Sequence, residues 1–458
     1  MEIRKEFNLL KNDKPFFRRT LLVAVPIVLQ QLLMNVLNLV DTLMIGQLGE
    51  TSIAAVGIAN KVFFVFTLLL FGICSGSSVL ESQFWGKRDV HNIRRMQGIA
   101  LSLSILASLI FLVPAIICPQ FIMRIFTNSE PAIEIGAQYL RVVALSYPLT
   151  AVTQVYVITL RSINQVKAPV VVTLISICVN IFFNYMFIFG KFGAPALEAK
   201  GAAIATLIAR CAECVILLVI VYIGKGPAAS GIKEMVSVDK KFLRLFFVTA
   251  TPVILNEFMW GLGVTMYSLV YGRMGDAAMA TITITQSIEQ VAQVVFMGLG
   301  SAAGIILGNE LGSNKLKDAE RHAKYFIGVQ FVLTAFTMVI FYAVRMSIIG
   351  LFNVTPEAAQ SVNLCFIVFI LYLPAKVFNL INIVGILRSG GDTKAALVLD
   401  CTGVWCIGIP MAILGGLILK QPIHIVYAMV LSEEIYKFIF GYNRYRKKKW
   451  CKNLVSDK

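Results

Sequence analysis

The chain has 458 residues, of which 58% are hydrophobic and only 14% charged, against about a quarter charged in a typical soluble domain. That balance excludes a water-soluble globule and makes lipid the solvent of the fold. The formal net charge of +16 does not point to nucleic acid, because the basic residues sit in alternate loops rather than on one face.

Apolar runs of about 20 residues or more, enough to cross a hydrocarbon core of about 30 Å as helix, recur along the chain. They predict twelve spans: 20–45, 52–84, 93–118, 133–160, 169–190, 200–224, 243–271, 277–310, 320–344, 358–387, 395–419 and 423–443. The N-terminal segment is too charged for a signal h-region and no small-residue cleavage site follows span 1, so that run stays as a membrane span. Lys and Arg crowd the N-terminus (Arg4, Lys5, Lys11, Lys14, Arg18, Arg19) and the loops after span 2 (Lys87, Arg88, Arg94, Arg95), span 6 (Lys225, Lys233, Lys240, Lys241) and span 8 (Lys315, Lys317, Arg321, Lys324). The tail adds Arg444, Arg446, Lys447, Lys448 and Lys449, whereas Gly46 to Thr51 carries no Lys or Arg and the turn after span 7 only Arg273. By the positive-inside bias both termini are expected in the cytoplasm of a multi-pass plasma-membrane protein.

The nine cysteines are scattered through apolar segments and outline no disulfide framework. Cys211 and Cys214 form a C-x-x-C within span 6, where two small packing residues are expected rather than a metal or redox site. His91, His322 and His424 all fall at helix ends, so no metal site is expected.

Shifted by 226 residues, the chain matches itself: Pro26 falls on Pro252, Gly46 on Gly272, Gly49 on Gly275, Glu50 on Asp276, Gly86 on Gly312, Arg95 on Arg321 and Pro148 on Pro374. One insertion later, Leu160, Arg161 and Ser162 fall on Leu387, Arg388 and Ser389. Each half holds six spans, so both enter the membrane in the same direction and their pseudo-symmetry axis follows the membrane normal. The expected fold is an all-α membrane protein of twelve transmembrane helices in two pseudo-symmetric six-helix bundles. Its parts are an N-terminal lobe (1–224), a cytoplasmic linker (225–241), a C-terminal lobe (242–444) and a basic cytoplasmic tail (445–458). Duplicated halves around a cleft are a transporter architecture. Pro26 and Pro252 lie inside the first span of each half, where the missing N–H loosens the helix, as inert kinks or as hinges.

No G-x-x-x-x-G-K-[ST] phosphate loop occurs, so an ion gradient is the expected energy source unless the substrate simply equilibrates. Ionisable groups within spans cost at least about 2.5 kcal/mol at a helix centre and by default mark a pathway or relay. In the N-terminal half, Asp41 lies about 7 Å below the outer end of span 1; Asn180 and Asn184 share one face of span 5; and Thr206 reaches a similar depth on span 6. One carboxylate, two amides and a hydroxyl can meet there, with Asn35 and Asn38 adding polarity, or the amides and Thr206 serve as interhelical glue. In the C-terminal half, Glu257 on span 7, Glu289 on span 8 and Lys376 on span 10 have compatible depths. Lys376 pairs with Glu257 or Glu289 there, as a structural ion pair or as a relay. Arg210 and Glu213, three apart on span 6, are expected to neutralise each other.

At these residues the chain resembles the multidrug and toxic compound extrusion (MATE) family over its whole length. The resemblance is carried by LVDTLMIGQLG from Leu39, YGRMGD from Tyr271, NIFFNYMFIFGKFGAPALEAKGAAIATLIAR from Asn180 and LRSGGDTK from Leu387. It implies two six-helix lobes with alternating access, exporting amphipathic, often cationic, compounds against protons or sodium. In one branch the coupling carboxylate is on helix 1 with polar support from helices 5 and 6, positions that match Asp41, Asn180, Asn184 and Thr206. Some members of that branch carry a second carboxylate where Asn184 stands, so one titratable group remains in this lobe. Another branch uses a helix 7 glutamate with a helix 10 aspartate; Glu257 resembles the first, while the helix 10 region holds Lys376 and Val377 and no acid.

Asn38, Glu257, Glu289 and Lys376 are therefore candidates for substrate contact or lobe packing. The expected partners are small-molecule substrates and the bilayer, with no nucleic acid, no cofactor beyond a coupling proton or sodium ion, and a monomeric chain. The competing possibility is a flippase for a lipid-linked cell-envelope precursor. An enzyme is not expected, since no His cluster, metal spacing, or Ser or Cys with a base is present.

Overall fold

A computed structural model describes residues 13–350, 352 and 355–456, which contain helices and no strand. Arg4, Lys5 and Lys11 of the basic N-terminus lie outside the described residues. A helix stands at every predicted span: α1 Lys14–Gly46, α2 Glu50–Lys87, α3 Val90–Ile117, α4 in two pieces (Glu130–Ala144 and Tyr147–Ser162), α5 Lys167–Phe189 and α6 Glu198–Ile223. The second half gives α7 Lys240–Arg273, α8 Asp276–Gly312, α9 Leu316–Ile349, α10 Pro356–Leu387, α11 Thr393–Ile418 and α12 Ile423–Arg446. Ten are individually long and apolar enough to cross a membrane, and the α4 pair makes an eleventh. Helix α12, at 24 residues, is about 36 Å long and carries Glu433, Glu434 and Lys437 among its apolar residues.

Turns and breaks follow local chemistry. Gly49 (φ 102°) and Gly275 (φ 116°), which align in the repeat, hold left-handed backbone that favours glycine just before α2 and α8. Glu50 and Asp276 then place a negative charge in each first turn, against the positive end of the helix dipole. Span 4 differs from its expected single run: Pro148, in the first turn of the second piece, accompanies a 47° bend. Its repeat partner Pro374 lies within α10 without such a break and is followed by a π-helical stretch, Ile381–Leu387. Helices α5 and α6 pack closely because α6 presents Gly201, Ala202, Ala205 and Ala209, all buried. A Cβ at Gly201 would stand 2.5 Å from the Phe187 carbonyl oxygen.

The contacts divide the chain into two compact units, and the cuts fall inside α1 and α7 rather than at the expected boundaries 224/225 and 241/242. One unit is Pro26–Ala250; the other joins Val25 and the described residues before it to Thr251 and those after it. Segment 225–241 belongs to the first unit because it is packed down: Arg94 donates to the Pro227 carbonyl (3.1 Å) and to Glu234 (2.8 Å), Ser230 donates to Gln97 (2.6 Å), and the Arg95 guanidinium lies 4.2 Å from the Phe242 ring centre. In the second unit, Phe16 from the start of α1 stacks on His322 at 4.4 Å and joins the buried core with Phe326, Phe366, Phe369 and Tyr427. The segment expected as a basic tail is also docked. Trp450 is 1% exposed and Asn453 donates to the Gly312 carbonyl (3.4 Å), while just before the tail Arg444 donates two hydrogen bonds to Asp392 (2.6 and 2.7 Å).

Candidate functional site

In the Pro26–Ala250 unit, the close α5–α6 pair presents its polar residues to α1. Asn184 Nδ2 donates to Asp41 Oδ1 at 2.6 Å and to Asn180 Oδ1 at 2.8 Å, and Asn180 Nδ2 donates to Thr206 Oγ1 at 3.5 Å. Asn180 and Asn184 are buried, with 2% and 1% exposure. The four residues expected to meet therefore do meet, in one chain of bonds from α1 through α5 to α6. Asp41, Asn38, Asn60, Tyr139, Asn180, Thr206 and Arg210 line a cavity of about 490 Å³. Arg210 is paired with the buried Glu213 at 2.6 Å, as the spacing predicts. This leaves Asp41 as the lining carboxylate without a cationic partner among the described residues. The amide N–H groups of Asn184 fill the space between the Asp41 carboxylate and the Asn180 carbonyl. That is a donor set suited to an ionised carboxylate, one that a proton on Asp41 weakens.

In the other unit the structure resolves the choice that the sequence left open. Lys376 Nζ pairs with Glu289 Oε2 at 2.6 Å, and Tyr427 donates to the same carboxylate. Glu257 is bound instead by Arg388 at 2.7 Å, so Lys376 is not its counter-charge. The physical reason is level along α10: Arg388 stands twelve residues past Lys376, roughly 18 Å further along the helix, and Glu257 meets that level while Glu289 meets that of Lys376.

Several buried charges here were not singled out from the sequence. Lys437 on α12 lies 3.3 Å from both Glu433 and Glu434 and 3.8 Å from Asp400; Tyr267 donates to Glu433 (2.6 Å), Asn379 to Glu434 (2.8 Å) and Asn256 to Asp400 (2.9 Å). The i,i+3 and i,i+4 spacing of Glu434 and Glu433 to Lys437 was the available signal. On α2, Glu81 is a further buried acid that was passed over, at 1% exposure among serines and threonines. Pro26 and Pro252 lie at the first residue and second residue, respectively, past the cuts between units. No group of three or more His, Cys, Asp or Glu suited to a metal ion occurs among the described residues.

The family model MatE matches residues 26–186 and 252–414, which are the two repeats. The chain is 24% identical over 425 residues to the uncharacterized transporter YisQ of Bacillus subtilis (strain 168), covering 93% of each chain. It is 26% identical over 410 residues to the multidrug resistance protein MdtK of Yersinia pseudotuberculosis serotype O:1b (strain IP 31758), covering 87% of this chain and 88% of the relative. A solved structure described as an outward-facing multidrug resistance MATE family transporter of the MOP superfamily shares the fold, with a TM-score of 0.86 at 16% identity over 96% of each chain.

Proposed function

Because the chain belongs to the multidrug and toxic compound extrusion family, we propose that it is a secondary active exporter of small amphipathic, often cationic, compounds, driven by protons moving the other way. The observation that carries this reading is the bond from Asn184 to Asp41 at the wall of the 490 Å³ cavity. A carboxylate held by an amide donor within a lipid-solvated bundle changes the local charge and hydrogen bonding when it takes a proton. That change is a differential interaction able to bias α1, already loosened at Pro26, between a straight and a bent arrangement. Protons suit the site better than sodium, because Asn184 presents N–H donors, not oxygens, to the carboxylate.

Cationic substrates follow from the cavity charge: among the described residues Asp41 has no ion-pair partner, and Arg210 on the same cavity is bonded to Glu213. The same balance speaks against a flippase for an anionic lipid-linked precursor, which calls for a basic cavity. In this reading the chain works as a monomer in the plasma membrane, with the Lys- and Arg-rich loops and both termini in the cytoplasm. Everted-vesicle dye transport under a proton gradient alone and then a sodium gradient alone tests it. Proton-driven uptake into the vesicles is the expected result; transport supported by sodium alone would overturn the coupling assignment.

A further inference from the structure

Glu81 sits on α2, six residues before the helix ends at Lys87, roughly 9 Å in from that end. The antiparallel neighbour α1 carries Asp41 near its own far end, so the two acids lie at opposite ends of one bundle. Glu81 Oε1 accepts from Ser77 Oγ at 2.6 Å and from Thr159 Oγ1 at 3.2 Å. Its other oxygen, Oε2, is buried without a hydrogen-bond partner.

None of the charged groups named next on the packed elements is bonded to Glu81, although Arg161 has only a neutral amide as its partner and a buried Nε without one. Arg161 on α4 donates to Gln30 at 2.5 Å, Arg94 on α3 pairs with Glu234 at 2.8 Å, and Arg95 pairs with Asp239 at 3.6 Å. On its own helix, Cys74 is a buried free thiol and Lys87 is exposed at the helix end. Glu81 is thus a buried carboxyl without a cation among the described residues. As an ion it is compensated in part by the Ser77 and Thr159 hydroxyls and by no cation; as an acid it keeps both hydroxyl bonds at Oε1 and sheds the buried charge.

A second observation links it to Asp41. Thr173, Ser176, Asn180 and Asn184 occupy one face of α5 at i+3 and i+4 spacing and are all buried. Asn184 meets Asp41 at the far end, while Thr173 accepts from Gln30 at 2.8 Å, and Gln30 in turn accepts from Arg161, two residues beyond the Thr159 that binds Glu81. Polar side chains therefore run through an otherwise apolar bundle from Asp41 as far as Arg161, within one turn of α4 of Thr159 but on another of its faces, all within the Pro26–Ala250 unit.

We propose that Glu81 is a second proton-binding group of this transporter, the one from which a proton admitted at Asp41 is released to the side of the Lys- and Arg-rich loops. The inference rests on the antiport reading above. The chemistry is a reversible proton transfer: the carboxylate takes up one proton, becoming a neutral acid, and returns it to water beyond Lys87, with no other bond made or broken.

The test uses the full chain in liposomes, as wild type, Glu81→Gln and Asp41→Asn, with infrared difference spectra between alkaline and acid buffer and proton-driven dye transport. Glu81→Gln is expected to delete one protonated-carboxyl band that Asp41→Asn retains, and to slow proton-driven transport about tenfold or more, the change one pKa unit brings. Identical band patterns in wild type and Glu81→Gln would overturn the proton site. Loss of the band with undiminished proton-driven transport would overturn the release role. Undiminished transport in Asp41→Asn would instead defeat the underlying antiport assignment, whatever Glu81→Gln does. If Glu81→Gln does not fold, Thr159→Val removes one hydroxyl bond to Oε1 and must displace the same band; an unmoved band overturns the proposal.

Discussion

Asn184 gives one amide N–H to Asp41 at 2.6 Å and the other to Asn180 at 2.8 Å. Both hydrogens of a single side chain are thereby spent on oxygens from two helices, and the Asn184 carbonyl oxygen is buried without a partner. Protonating Asp41 loosens one of these bonds and frees the amide to turn.

Asp41→Asn keeps an oxygen acceptor for Asn184 and mimics the neutral acid. It is expected to insert and fold as wild type yet lose proton-driven efflux by about tenfold or more, since a permanently neutral group cannot follow the gradient. Dye transport in everted vesicles, beside a thermal unfolding curve, checks both halves of this expectation.

Topology is open to thiol labelling. In a variant freed of its exposed native cysteines, Cys118, Cys178, Cys211 and Cys406, the substitutions Glu50→Cys and Pro356→Cys are expected to react with impermeant reagents from outside intact cells. Arg88→Cys and Lys317→Cys are expected to stay unlabelled. Labelling of Arg88→Cys in intact cells reverses the orientation.

Glu257→Gln removes the carboxylate that faces Arg388, itself 2% exposed, at 2.7 Å. Breaking a buried pair from one side costs about 3 kcal/mol, so a lower unfolding temperature and weaker transport are expected, with the same coupling ion. Paired measurement with Arg388→Met and the double variant isolates the interaction. Selective loss of sodium-stimulated transport in Glu257→Gln would contradict this expectation.

The linker carries its own pH dependence. Gly231 N–H, and then the Arg94 guanidinium, both donating to Glu234, hold its carboxyl below the usual glutamate range. A folded value below the unfolded one stabilises the segment above the ordinary glutamate value of about 4.3, and that stability is lost as pH falls through the depressed folded value. Hydrogen-exchange protection over Ile232–Val236, taken relative to the intrinsic rate at each pH, should therefore hold near neutral pH and fall only in strong acid, whereas Glu234→Gln should show lower protection at neutral pH and no such fall.

Depth was legible in the first half of the sequence and less so in the second. Apolar run length located every membrane helix, and counting residues from the helix ends brought Asp41, Asn184 and Thr206 to one level, where the structure joins them. Lys376 had two acids at apparently suitable depth, but Glu257 meets Arg388, twelve residues further along, and leaves Glu289 to Lys376. Glu433, Glu434 and Lys437 sit at the middle of span 12, and their partners Tyr267, Asn379 and Asp400 are all distant in sequence. Pro148 and Pro374 align in the repeat, yet only the first marks a break between helices. A proline's effect on a helix depends on the backbone partners its neighbours supply.

Phe16 and Trp450 share one buried core, and this sets a timetable for biosynthesis. The unit Pro26–Ala250 has every residue it needs once position 250 has left the ribosome. The other unit contains Phe16 but must wait for His322, Phe366, Tyr427 and at last Trp450. At about 5–20 residues per second the leading turns of α1 spend about 15 to 60 seconds without the ring neighbours His322, Tyr325 and Phe326. During that interval Phe16 is an apolar group awaiting partners not yet made, so premature chain termination before His322 leaves the first-made segment without its place in the core.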